Sequence, residues 1–256
     1  MIIAAISAGI VIGLVLALVG GGGSILAVPL LVYLVGVSSP HAAIGTAAVA
    51  VALNAATSLA GHARSGNVKW PCAIAFAVSG IIGAALGAEA GKAMDGAKLL
   101  ALFGGLMILV GLSMLRPRST VDNPDVRLER STASVLLPRL IPTGVSVGLL
   151  AGFFGIGGGF LIVPGLVMAT QMPLRIAVGT SLVVVTALGL TTATSYALSG
   201  YVDWRLVGLM AIGGVIGAGI GIPVGKHIAS HKRVMELGFA SLVIAIGGYV
   251  MLRGLT

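Results

Sequence analysis

The chain has 256 residues, 57% hydrophobic and only 9% charged, with a formal net charge of +8 and a mean hydropathy of +1.12. A soluble domain carries about 25% charged residues, so the composition excludes a water-soluble enzyme, and it is far too apolar for intrinsic disorder. A single cysteine, Cys72, and the absence of Cys/His ligand spacing exclude a disulfide framework and a metal site. What remains is an all-α polytopic integral membrane protein that calls for no metal and no cofactor.

A membrane-spanning helix needs about 20 apolar residues. Uncharged apolar runs occupy 2–36, 42–61, 70–88, 99–115, 141–170, 176–202, 206–225 and 237–252, which predicts about eight transmembrane helices. The first Lys, Arg, Asp or Glu is Arg64, and no basic segment precedes the first run, so no cleaved signal peptide is expected. The run 2–36 is too long for one straight helix rising about 1.5 Å per residue through a core of about 30 Å. Glycines at 20–23 interrupt it, with Pro29 behind them. The run 141–170 is interrupted in the same way by Gly155, Gly157, Gly158 and Gly159, with Pro164 behind. Each predicts a helix, an unwound glycine turn and a new short helix starting around Ser24 and Phe160. The stretch 116–139, with its Arg, Asp, Glu and Pro residues, reads as a polar linker.

The halves on either side of that linker match each other. Gly13 to Pro29 aligns with Gly148 to Pro164 at an offset of 135. After one deletion the offset is 134. Gly45-Thr46 then aligns with Gly179-Thr180, Ser65-Gly66 with Ser199-Gly200, Trp70 with Trp204, and Gly80, Gly83, Gly87 and Lys92 with Gly214, Gly217, Gly221 and Lys226. The chain therefore reads as a first transmembrane repeat (1–115), a linker (116–139) and a second repeat (140–256). Paired interrupted helices in two halves point to a transporter site.

Loop charges bear on topology. If each broken run crosses once, Lys and Arg divide nine to six between the two sides. If each folds back as a hairpin, the halves are inverted. One side then holds Arg64, Lys69, Arg116, Arg118, Arg127, Arg130, Arg139, Arg175, Lys226, Lys232 and Arg233, eleven in all, against Lys92, Lys98, Arg205 and Arg253 on the other. The sharper split favours inverted repeats, with the linker in the cytoplasm and both termini outside. The basic residues serve this bias; no basic stripe with interleaved aromatics suggests nucleic acid.

A helix opening after a glycine turn offers free N–H groups and the positive end of its dipole to an anion. The candidate substrate-binding groups are therefore Gly20, Gly22, Gly23, Ser24, Gly155, Gly157, Gly158 and Gly159, with Thr46, Asn54, Thr180 and Ser181 from the helices that follow. Thr57, Ser58, Thr191, Thr192 and Ser195 read more simply as hydroxyls bonded within or between helices. Gly80, Gly83, Gly87, Gly214, Gly217 and Gly221 read as packing positions. His41 and Arg175 occupy equivalent positions and are gating candidates. Glu89 pairs with Lys92 or serves as a coupling group, and His62 reads as a solvated loop residue. A dinucleotide fold fails, because GxGxxG would need glycine at Ile25. An intramembrane hydrolase using Ser24 with His41 or His62 is a remote alternative, since Ser24 aligns with Gly159.

The duplicated Gly-x-Gly-Gly-(Gly/Ser)-x-Leu-x-Val-Pro signature, the Gly-Thr pairs, the Gly66…Trp70 and Gly200…Trp204 loops and the helices ending in Gly91-Lys92 and Gly225-Lys226 resemble the TauE/SafE, or sulfite exporter, family of membrane transporters. The resemblance covers nearly the whole chain. It implies a non-enzymatic secondary transporter in a bacterial inner membrane, moving small sulfur-containing anions such as sulfite or sulfonates like sulfoacetate. An anion channel, or a carrier for other carboxylates, is the alternative. A proton or sodium ion is the natural coupling partner, beside the lipid bilayer itself, and no oligomeric state follows. The halves differ where Ile156 faces Gly21, Gly159 faces Ser24 and Leu188 faces Asn54, so they cannot offer identical groups.

Overall fold

The computed structural model describes residues 1–115, 126, 128–155, 159–227 and 232–255. Among the described residues it is helical throughout, with no strand. Helix α1 spans Ile2–Val19, followed by a 3-10 segment Gly20–Leu26, a short α2 at Ala27–Pro29 and a wider π-helical stretch Leu30–Val35. Then come α3 (Pro40–Arg64), α4 (Trp70–Ala93) and α5 (Gly96–Leu115). The second half holds α6 (Ala133–Phe153), α7 (Gly159–Thr170), α8 (Leu174–Leu198), α9 (Trp204–His227) and α10 (Lys232–Leu255). Seven of the described helices are long and apolar enough to cross a membrane, while α1, Gly23–Val35 and α7 are shorter. The protein is thus a polytopic helical membrane protein. Side chains such as Ile3, Leu86, Met168 and Leu198 are more than half exposed on its flanks, as surfaces facing lipid are.

Local chemistry sets the helix ends. Ser39 caps α3, its hydroxyl accepting the Ala42 N–H at 3.4 Å, and Pro40 occupies the first turn, where its missing N–H costs nothing. Gly36, Gly66 and Gly200 take φ of +84°, +68° and +75° and close the preceding helical segments. One boundary departs from the sequence expectation: α6 begins at Ala133, inside 116–139, and runs through Pro138, Arg139 and Pro142. A single exposed Arg does not end a membrane helix, because its long stem lets the charge reach water. Most of the stretch 116–127 lies outside the described residues.

The packing is reciprocal between aligned elements. Helix α1 lies along α9, where a Cβ on Gly9 or Gly13 would meet the backbone of Met210 or Gly214. Helix α6 lies along α4 at the aligned positions, with Gly144 against Phe76 and Gly148 against Gly80. Gly83 and Gly87 close on Val145 and Leu149, as Gly217 and Gly221 close on Ile10 and Leu14. These six α4 and α9 glycines are therefore packing positions, letting backbones touch where no hydrophobic force distinguishes helix from lipid.

Two further pairs join aligned helices to one another. Gly104 of α5 sits on Gly247 and Met251 of α10, Gly111 on Ala240 and Ile244, and Gly254 on Ala97 and Ala101. As residue number rises along α5 it falls along α10, so the two are antiparallel. Helices α3 and α8 are antiparallel as well: Gly189 meets Ala52 and Ala48, and the start of each helix meets the loop that follows the other. Each half therefore has one end at the Arg64 side and one at the Lys92 side, in opposite order.

Candidate functional site

The first broken run is a hairpin. A Cβ on Gly23 would lie 2.6 Å from the Leu16 nitrogen and 3.0 Å from the Ile12 carbonyl oxygen, so the chain has already reversed there. The expected unwound turn and fresh helix at Ser24 are not what forms. The backbone stays in a tight 3-10 helix through Ser24 and enters α2 only at Ala27. Leu26, the residue before α2, is in the right-handed helical region and gives no side-chain cap. The reason is steric: 3-10 turns eclipse side chains at i and i+3, and consecutive glycines have none to eclipse.

The second run is a hairpin with a different corner. Gly155 ends α6 with φ +65°, and its N–H donates to the Gly152 carbonyl at 3.1 Å. A Cβ there would run into Ile44 of α3. Helix α7 opens at Gly159, one residue before the expected start, and folds back so that Gly165 lies against Thr143 and Val147. Gly157 and Gly158 lie outside the described residues.

The hairpins meet through their return segments: Gly20–Leu26 packs on α7 and reaches α8. The glycine turns themselves lie apart. Asn54 of α3 rests on Gly214, which touches Gly13, and Leu188 of α8 rests on Gly80, which touches Gly148. From Gly13 to Gly20 is seven residues, about 10 Å of helix, and Gly148 to Gly155 is the same length in the opposite direction. Ser24 is fully buried in the return segment.

The Gly-Thr pairs have a structural duty. The Thr46 hydroxyl accepts the Asp203 N–H, and the Thr180 hydroxyl accepts the Lys69 N–H, each at 3.0 Å. Gly45 and Gly179 admit the carbonyls of Tyr201 and Asn67 against the same helices. Each pair thus seats the loop before α9 or α4, and the two lie at opposite ends of the α3–α8 pair rather than in one pocket. Ser181 donates to the Val178 carbonyl at 2.7 Å within its own helix. Asn54 differs: it is 1% exposed, and neither amide atom has a hydrogen-bond partner.

The charged candidates are peripheral. Arg175 is exposed in the first turn of α8. His41 stands at the other end, its ring 5.5 Å from Tyr201 and its Nε2 without a partner. Glu89 accepts from Lys92 at 2.7 Å and from Ser195 at 2.9 Å, while Lys92 also donates to Ser199 at 3.0 Å. That is the ion pair of the sequence reading, joined to α8.

His62 is not a loop residue. It lies in the last turn of α3, half-buried beside the Ala17 backbone and facing Arg175. Tyr196, which sequence reasoning passed over, is fully buried with an unpartnered hydroxyl. The signal was present, because the offset of 134 aligns His62 with Tyr196 and Ser58 with Thr192. Among the described residues every buried polar side chain is a hydroxyl or an amide, and none carries a charge.

The family model described as sulfite exporter TauE/SafE matches residues 5–250. A probable membrane transporter protein of Xylella fastidiosa (strain 9a5c) is 44% identical over 252 residues, covering 98% of this chain and 95% of the relative. The probable membrane transporter protein YunE of Bacillus subtilis (strain 168) is 27% identical, over 96% of both chains. MJ0441 of Methanocaldococcus jannaschii, also a probable membrane transporter protein, is 28% identical over 95% of this chain and 92% of the relative. No solved structure matches. With glycine-broken hairpins in both halves and a family match over nearly its full length, the chain belongs to the TauE/SafE sulfite exporter family of membrane transporters.

Proposed function

We propose that the protein is a secondary carrier of small sulfur-containing oxyanions, sulfite or sulfonates such as sulfoacetate, working by alternating access. In this reading 1–115 and 140–256 are inverted repeats, and the linker 116–139 faces the cytoplasm of a bacterial inner membrane. Membership of a transporter family supports a carrier rather than an enzyme. The observation that carries the substrate class is the interior: buried hydroxyls, one free carboxamide and the opening turn of α7, with no buried charge among the described residues. Such groups donate to sulfonate or sulfite oxygens without a full countercharge, so they hold a monoanion weakly enough to release it. The site we assign lies between the return segments, at Gly23, Ser24 and Gly159, with Asn54 as its carboxamide donor.

The test is substrate counterflow in proteoliposomes with sulfite, sulfoacetate and a non-sulfur carboxylate such as acetate. Saturable counterflow of the sulfur anions is expected. Conductance without counterflow would mean a channel, and a preference for acetate would move the substrate class. Gly22→Leu and Gly157→Leu are expected to purify folded and lose transport. Parental rates in both would make the glycine turns packing devices and place the site elsewhere.

A further inference from the structure

We infer that the anion reaches and leaves the centre along two closed half-routes, one on α3 and one on α8. The first is lined by Asn54, Ser58 and His62 and the second by Thr192, Tyr196 and His41. This rests on the carrier reading above. Buried polar atoms are as a rule hydrogen-bonded. Among the described residues the buried side-chain atoms without a partner belong to these six residues and no others.

Their placement is not scattered. Asn54, Ser58 and His62 follow one another at four-residue spacing on one face of α3, and span about 12 Å from the Asn54–Gly214 contact to the Arg64 end. Thr192 and Tyr196 are the aligned positions on antiparallel α8 and lead to the Lys92 end. There Tyr196 meets Tyr201 at 6.3 Å between rings, and Tyr201 meets His41 at 5.5 Å. Each route covers nearly half of a hydrocarbon core of about 30 Å.

The hydroxyls are also exceptional for their helices. Thr57 on α3 and Thr186, Thr191 and Thr194 on α8 each donate to the carbonyl four residues back. Ser58 and Thr192 do not, although both are fully buried. All the hydroxyls and the Asn54 amide can donate, which suits an oxyanion, and the one carboxylate near them, Glu89 beside Tyr196, is paired with Lys92. At the centre the routes differ, since Leu188 stands where Asn54 would be repeated. Asn54 is therefore the group that holds the anion between the two routes.

Single cysteines at Ser58 and Thr192 in a Cys72→Ala background test the routes, with Ser65→Cys and Ser199→Cys as controls for each face. Proteoliposomes are treated with a membrane-impermeant maleimide from either side. The Ser58 cysteine is expected to react from the side that labels position 65, the Thr192 cysteine from the side that labels position 199, and sulfoacetate should slow both. Asn54→Leu should fold, because Leu188 already occupies the aligned place against Gly80, and should cut sulfoacetate uptake about ten-fold or more. Labelling of both cysteines from one side, no labelling of folded protein, or parental uptake by Asn54→Leu overturns the proposal. If the parent moves neither sulfite nor sulfoacetate, the substrate reading fails, and the side of labelling alone then decides the routes.

Discussion

At the scale of single residues, glycine does two different jobs that composition cannot separate. Gly83 and Gly217 touch the backbones of α6 and α1, while Gly219, on the same helix as Gly217, has nothing within 4 Å. Gly83→Ala and Gly217→Ala should each cost about 1–3 kcal/mol by forcing helices apart. Gly219→Ala should be neutral or gain up to about 1 kcal/mol from helix propensity. Thermal melts of detergent-purified variants check the order, and equal melting for all three would undo the packing assignment. The threonines make a second test. Thr46→Val and Thr180→Val keep the shape but leave the Asp203 or Lys69 N–H without its acceptor, which should cost about 1–3 kcal/mol, and serine should restore it. Transport per folded molecule should stay near parental, because these hydroxyls seat loops. A valine variant of parental stability that no longer transports would return them to the substrate site.

At the scale of elements, the sequence shows where a helix must break but not how. Length against membrane thickness calls for a break in the first run, the duplicated glycines place it in both, and hydropathy places α3, α4, α5, α8, α9 and α10 to within a few residues. The form of the break was hidden, because four glycines allow a coil and a 3-10 turn alike, and only the contact of Gly23 with Leu16 decides between them. His62 was misplaced for a related reason: a charge-free run ended near it, yet α3 continues to Arg64. Beyond the Glu89–Lys92 pair, the polar partnerships were not legible, since which hydroxyl turns from its own helix depends on neighbours far away in sequence. The corner at Gly155 gives a test of its element. Gly66→Ala strains only a positive φ in open space, at about 1–2 kcal/mol. Gly155→Ala adds the collision with Ile44 and should cost about 1–3 kcal/mol more. Ile44→Ala in the same chain should recover part of that excess. Equal losses at 66 and 155, read by thermal melting, would show that the hairpin corner yields freely.

At the scale of the whole molecule, two independent arguments meet on one topology. The first is electrostatic: folding back each broken run sorts eleven Lys and Arg from four, and an excess of positive charge stays in the cytoplasm. The second is geometric: aligned helices α5 and α10 pair antiparallel, as do α3 and α8, so exchanging the halves reverses their direction through the bilayer. Translated repeats would bring neither pair together in that sense. In a Cys72→Ala background, Gly104→Cys with Gly247→Cys should therefore cross-link under mild oxidation. Gly104→Cys with Gly238→Cys, partners that a parallel pairing would place level, should not. The orientation proposed above has 116–139 on the positive side and both ends of the chain on the other. A cysteine replacing Asp125 should then resist an impermeant maleimide in intact cells and react after the membrane is opened, whereas one at Met1 should react at once. Labelling of position 125 from outside, with the 104–247 cross-link intact, would keep the fold and turn it over in the membrane. Loss of the cross-link would strike at the inverted packing itself.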